Sequence, residues 1–117
     1  MLNTHPKRGS SWEGIIIEQV IGQLSLSSPG TEFFFWMTAT RQEADLLIKR
    51  SAQLIPVEIK LHSSPRKSDV KGLFACLRDL HLKKGYVVRP SGKTYTLGDG
   101  VQVVTLKELL SEFEKMS

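Results

Sequence analysis

The chain has 117 residues, 40% of them hydrophobic and 24% charged, with 16 Lys and Arg against 12 Asp and Glu for a formal charge of +4 at pH 7. That length supports one hydrophobic core and excludes two, and the composition excludes a disordered or low-complexity chain. The basic excess, with a pI near 9.4, permits a polyanionic partner without requiring one.

The single cysteine, Cys76, excludes an internal disulfide, and its apolar neighbours predict a small buried side chain in a reducing compartment. No stretch approaches the ~18 apolar residues of a membrane span, and the amino terminus lacks the apolar run of a signal peptide. A soluble, cytoplasmic protein with no membrane partner is expected.

Residues 1–8 read as a polar, flexible lead-in to a single domain over 9–117. The first helix starts near Ser10, whose hydroxyl would cap it, with Glu13 as the reciprocal partner of a capping box. At about 100° per residue, Trp12, Ile16, Ile17, Val20, Ile21 and Leu24 gather on one side, and Glu13 falls inside that arc. A carboxylate there is costly unless it caps, pairs or binds a metal. Glu13 is therefore a candidate working residue beside its plain capping role, whereas Glu18 turns to the polar side and reads as solvated. Ser27-Ser28-Pro29-Gly30 ends the helix. The run Glu32 to Thr38, with three phenylalanines and Trp36, predicts a strand buried on both faces. Thr40-Arg41-Gln42 turns the chain, with Arg41 expected in solvent.

Two apolar runs follow, Glu43-Ala44-Asp45-Leu46-Leu47-Ile48 and Pro56-Val57-Glu58-Ile59-Lys60-Leu61, and each carries acid where packing alone would favour Val or Ile. Period 2 sets Glu58 and Lys60 on one face of the second run and Val57, Ile59 and Leu61 on the other. Asp45 lies 13 positions before Glu58 with a turn at Arg50-Ser51-Ala52-Gln53 between them, so a hairpin would bring the two acids close. Neighbouring carboxylates repel unless a cation separates them, and a hard ion such as Mg2+ takes one or two carboxylates together with waters and a substrate phosphate. The plain alternative is a pair of surface ion pairs, Glu58 with Lys60 and Asp45 with Arg41, of small energetic value.

His62 to Asp69 reads as a polar loop; a lone histidine there does not make a zinc site. A second helix is expected over roughly Ser68 to Leu82, with Val70, Leu73, Phe74, Leu77 and Leu80 as its apolar stripe and Lys83-Lys84-Gly85 as its stop. Tyr86-Val87-Val88, Thr94 to Leu97 and Val101 to Val104 read as short strands. Gly92-Lys93-Thr94 resembles the end of a phosphate-binding loop, but Val87 stands where its first glycine is needed, so no ATP site follows. A last helix begins at Thr105, capped reciprocally by Glu108.

The class read from this order is α/β, a central mixed sheet flanked by helices in the order α-β-β-β-α-β-β-β-α. With acids on the first helix and on strands two and three, it resembles the core of the PD-(D/E)XK, or restriction-endonuclease-like, nuclease fold; the matching motif is Glu13, Asp45 and Glu58-Ile59-Lys60. The resemblance implies that Asp45 and Glu58 hold Mg2+ or Mn2+, that Lys60 orients the attacking water and stabilises phosphoryl charge, and that Glu13 assists the metal. DNA is then the expected partner.

A closer resemblance covers nearly the whole chain. His5-Pro6 with Gly9, Ser11-Trp12-Glu13-Gly14, Phe34-Phe35-Trp36, Glu43-Ala44-Asp45-Leu46-Leu47, Val57-Glu58-Ile59-Lys60 and Gly85-Tyr86-Val87-Val88 are similar to the C-terminal domain of uncharacterised function found behind the ATPase module of many prokaryotic AAA-type ATPases. It implies an ATPase module, in a longer chain or in trans, as a partner. It also admits a non-catalytic module of the same fold that binds nucleic acid or protein. Small nucleases of this fold are often dimers, so a homodimer is a further expectation, with Ile15 as an exposed apolar residue available to it.

Overall fold

A computed structural model describes residues 2–3, 12–40, 42–61 and 64–115. The elements are β1 (Leu2–Asn3), α1 (Trp12–Ser27), β2 (Glu32–Met37), β3 (Glu43–Arg50), β4 (Gln53–Ile59), a 3-10 turn (Lys67–Asp69), α2 (Lys71–Asp79), β5 (Gly85–Val88), β6 (Tyr95–Gly98), β7 (Val101–Val104) and α3 (Leu106–Lys115). The expected α/β order is present, with one addition. Leu2–Asn3, expected within a loose lead-in, pairs with Trp36 and Phe35 as β1. The rest of that lead-in, and Ser10, Arg41 and His62, lie outside the described residues.

The strands form one mixed sheet in the order β1-β2-β3-β4-β5-β7-β6. β1 to β4 pair antiparallel, β4-β5-β7 parallel, and β6 antiparallel to β7. The β3–β4 hairpin turns on Ser51-Ala52, with Ser51 at φ 55°, so β4 starts at Gln53, earlier than the expected Pro56. The parallel partner requires a crossover, supplied by α2.

Alternation sorts the core onto two faces. On one, Ile16, Ile17, Val20 and Leu24 of α1 and Leu109 and Phe113 of α3 pack on Leu46, Ile48, Ile55, Val57, Ile59, Tyr86, Val88 and Val104. On the other, α2 covers the sheet, with Leu73 and Leu77 against Val87, Val101 and Val103 and Ala75 and Cys76 against Trp36, Ala44 and Leu47. Burial pushes the Cys76 thiol up to about 12, leaving it protonated and inert. The expectation for β2 is corrected. Trp36 alone in that strand is buried, and Glu32 is exposed, because its outer neighbour β1 is only two residues long and covers little of it. α2 is also shorter than expected, its first turn being replaced by the 3-10 turn in which the Arg66 amide donates to Asp69 Oδ2 at 2.8 Å. The α3 cap is as expected, with the Thr105 amide donating to Glu108 Oε1 at 3.0 Å.

Gly72 is where α2 lies against the start of β3: a Cβ there would overlap the Glu43 carbonyl. A glycine is required because two backbones meet without room for a side chain. Gly72→Ala is expected to lift α2 off β3 and to cost about 1–3 kcal/mol in chemical denaturation, the usual penalty for overpacking.

Candidate functional site

The site begins with an irregularity in pairing. Between β2 and β3 the register runs Phe34↔Leu47 and then Trp36↔Ala44, so Asp45 and Leu46 together stand opposite Phe35. This is a β-bulge, which breaks the strict alternation of side chains and re-aims one of them. Ala44 and Leu47 consequently join the same core under α2, while Leu46 and Ile48 face α1 and α3.

On the other side of β3, the ladder with β4 runs from Arg50↔Gln53 up to Leu46↔Val57. One step further, Asp45 and Glu58 are opposite one another, and there side chains take over from backbone. The Ile59 amide donates to Asp45 Oδ2 at 2.9 Å, and the Asp45 amide donates to Glu58 Oε1 at 3.3 Å. Each acid thus closes a backbone donor of the opposing strand. β4 meanwhile exchanges β3 for β5, and the Lys60 amide donates to Val88 O at 2.9 Å. Lys60 Nζ lies 3.6 Å from Glu58 Oε2. Glu58 and Lys60 therefore share a side as period 2 requires, although β4 ends at Ile59 and Leu61, expected on the apolar side, is 56% exposed.

Glu58 is 8% exposed. Burial first, and then the Asp45 carboxylate, push its pKa from 4.5 to about 8, against the opposing pull of Lys60 and of the Asp45 amide. Two acids brought together inside a sheet end cannot both ionise cheaply, so the pair holds a proton near neutral pH in the absence of a neighbouring cation.

Glu13 is placed differently. It sits half-buried in the first turn of α1, and among the described residues no group of three or more His, Cys, Asp or Glu could hold a metal ion together. Two of the three expected acids, with the lysine, come together; the helix glutamate does not complete a three-acid cluster. The expected partner of Asp45 in a surface ion pair, Arg41, is outside the described residues.

One residue of this sheet end was not anticipated. The parallel register Glu58↔Val87 and Ile59↔Val88 continues to set Arg89 beside Lys60. Arg89 is 8% exposed, donates to Lys93 O at 2.6 Å and lies 4.9 Å over the Tyr95 ring. Its signal in the sequence was a charge directly after the buried run Tyr86-Val87-Val88, legible only once that strand is known to lie next to β4.

The sign of the pH effect follows from the raised Glu58 pKa. Below about 4.5 the folded and unfolded states both carry the proton and the stabilisation is complete; between there and about 8 only the folded state keeps it, so stability falls as pH rises. In EDTA, the unfolding free energy relative to that of Glu58→Gln, read by chemical denaturation, should decline from pH 5 to pH 8 by on the order of a few kcal/mol. Parallel pH curves for the two proteins would overturn the assignment.

The model of the family described as a domain of unknown function, DUF4143, matches residues 8–109. The uncharacterized proteins Mb2031c of Mycobacterium bovis and Rv2008c of Mycobacterium tuberculosis are each 31% identical to this chain over 110 residues, or 94% of its length and 24% of theirs. The chain thus spans about a quarter of the length of the curated relatives it matches. With the match running from before α1 into α3 and taking in Glu13, Asp45, Glu58 and Lys60, the chain belongs to the DUF4143 family.

Proposed function

We propose that this domain is a divalent-metal-dependent phosphodiesterase acting on DNA, built on a restriction-endonuclease-like core. One observation carries the reading: Asp45 and Glu58 interlock across the end of the β3–β4 ladder with the Lys60 ammonium 3.6 Å from Glu58. The donor set fits Mg2+ or Mn2+. Two hard carboxylates side by side, one retaining its proton to about pH 8, form a pair whose repulsion a divalent cation would relieve, and such ions commonly take one or two protein carboxylates and keep the remainder as water and phosphate oxygen. Asp45 and Glu58 would hold the ion. When bound, it supplies acidity to a coordinated water and offsets charge on the phosphoryl group.

The chain's own residues have separable parts in this scheme. The Ile59 amide holds the Asp45 carboxylate in its orientation, and the Asp45 amide does the same for Glu58, so the backbone presets the pair before any ligand arrives. The Lys60 side chain is 28% exposed, open enough to meet a phosphate at the sheet end and to stabilise the charge that develops there. Glu13, standing outside the pair, acts only at a distance. That separation also favours a second reading, a non-catalytic module of the same fold that binds nucleic acid or protein and serves an ATPase module in a longer chain or in trans.

Nicking of supercoiled plasmid in Mn2+ or Mg2+ separates the two. The nuclease reading expects cleavage that falls by roughly 10^3-fold or more in Asp45→Asn and Glu58→Gln, equivalent to several kcal/mol of charge stabilisation, with a smaller loss in Glu13→Gln. Asp45→Asn keeps a carbonyl oxygen able to accept the Ile59 amide, so its circular dichroism should be unchanged. Plasmid binding that persists in chelator, with no cleavage in either metal, would leave the module reading standing.

A further inference from the structure

The positive charge of the chain is concentrated in one segment. Residues 64–84 hold Arg66, Lys67, Lys71, Arg78, Lys83 and Lys84 against only Asp69 and Asp79, an excess equal to the +4 of the whole chain. This segment comprises the 3-10 turn and α2, which cover one face of the sheet, together with the loops that flank them and carry Arg66, Lys83 and Lys84.

A cavity of about 660 Å³ lies along it. Its inner wall includes Phe74, Leu77 and Leu82, and the exposed side chains of Lys67, Lys71 and Arg78 line its mouth. The acid in the lining, Asp99, is engaged by Lys67 at 3.1 Å, and the same ammonium lies 5.1 Å over the Phe74 ring. Lys71 forms no ion pair with any described residue. Among the described residues Arg78 forms an ion pair with its exposed neighbour Asp79, at 3.7 Å, a contact of little energetic weight. Gln42 lines the cavity at the β3 side, three residues before Asp45. By the rise of an extended strand that separation is roughly 10 Å, so the cavity and the acid pair belong to the same end of β3.

We propose that this cavity takes an unpaired nucleotide of a DNA strand, with its base against Phe74 and the flanking phosphates on Lys67, Lys71 and Arg78. The inference rests on the nuclease reading and names its substrate: a single strand or frayed end, in preference to intact duplex. The size is that of a small-ligand site. Phe74 is half-buried at the cavity wall, and cations around an aromatic ring form the recurring platform for unpaired bases, whose stacking is tolerant of sequence. A duplex keeps its bases stacked inside and could use the cations but not the ring; an acidic peptide would likewise be indifferent to Phe74.

Fluorescence anisotropy in EDTA tests this with the full chain, using a labelled oligothymidylate and a mixed-sequence duplex of equal length. The single strand should bind about tenfold more tightly, and Phe74→Leu should remove most of that preference while leaving duplex binding unchanged. Lys71→Gln and Arg78→Gln, both at exposed positions, should weaken binding of the single strand and lower its log–log salt slope by about 0.7 each. Equal binding of strand and duplex by the wild-type protein overturns the proposal without need of any variant. So does an oligoglutamate competitor that displaces the strand as well as unlabelled oligothymidylate does. Cleavage without strand preference would remove the nucleotide pocket and keep the nuclease. Strand-selective binding by a protein that cleaves nothing would remove the nuclease and keep the pocket.

Discussion

The structure turns on the reciprocal closure at the end of the β3–β4 ladder, where the Asp45 carboxylate takes the Ile59 amide and the Glu58 carboxylate takes the Asp45 amide. A sheet that changes partners must do something with the donors left where two strands diverge, because a buried amide without an acceptor costs as much as a lost hydrogen bond. Here two acids supply the acceptors. The solution is stable for the backbone and unfavourable for the acids: burial, and then repulsion by Asp45, raise the Glu58 pKa to about 8. The position that completes the fold is thus also the one held with excess negative potential, which is what a cation or a proton is drawn to.

The rest of the molecule positions that point. α2 lies against the start of β3 at Gly72, and the bulge against Phe35 turns Asp45 out of alternation with its neighbours. On the opposite face, α1 and α3 bury the apolar side of β3, β4 and β5. The same sheet end receives Lys60 and Arg89 from adjacent parallel strands. The C-terminal ends of parallel strands are where open α/β sheets place ligands, and Glu58, Lys60 and Arg89 stand at those ends of β4 and β5. The 3-10 turn and α2 add Lys67, Lys71 and Arg78 around a cavity that Gln42, three residues before Asp45, also lines.

Much of this was readable in the amino-acid order, and the exceptions share a cause. Alternation in Val57-Glu58-Ile59-Lys60 was enough to set the acid and the ammonium together, and they lie 3.6 Å apart. The turn between the two acid-bearing runs was enough to bring Asp45 to Glu58. Burial of β2 was over-read, since three consecutive phenylalanines look the same whether a strand is central or next to a two-residue edge. Glu13 lies half-buried on the apolar side of its helix as the wheel places it, but a helical wheel carries no information about the distance from one element to another, and among the described residues no three-acid cluster forms.

What the sequence determined by itself is therefore local: the period of each element, the caps, the α/β order, and the presence of an acid pair with a lysine on one strand. What only the tertiary structure decided is which donors those acids close, how far the Glu58 carboxyl is driven toward its neutral form, that Arg89 stands beside Lys60, and that Lys67, Lys71 and Arg78 line one cavity with Gln42. The division has a physical reason. Periodicity and capping depend on neighbours a few positions away, whereas desolvation, strand register across a crossover and the meeting of two backbones at a glycine depend on residues brought together from distant parts of the chain.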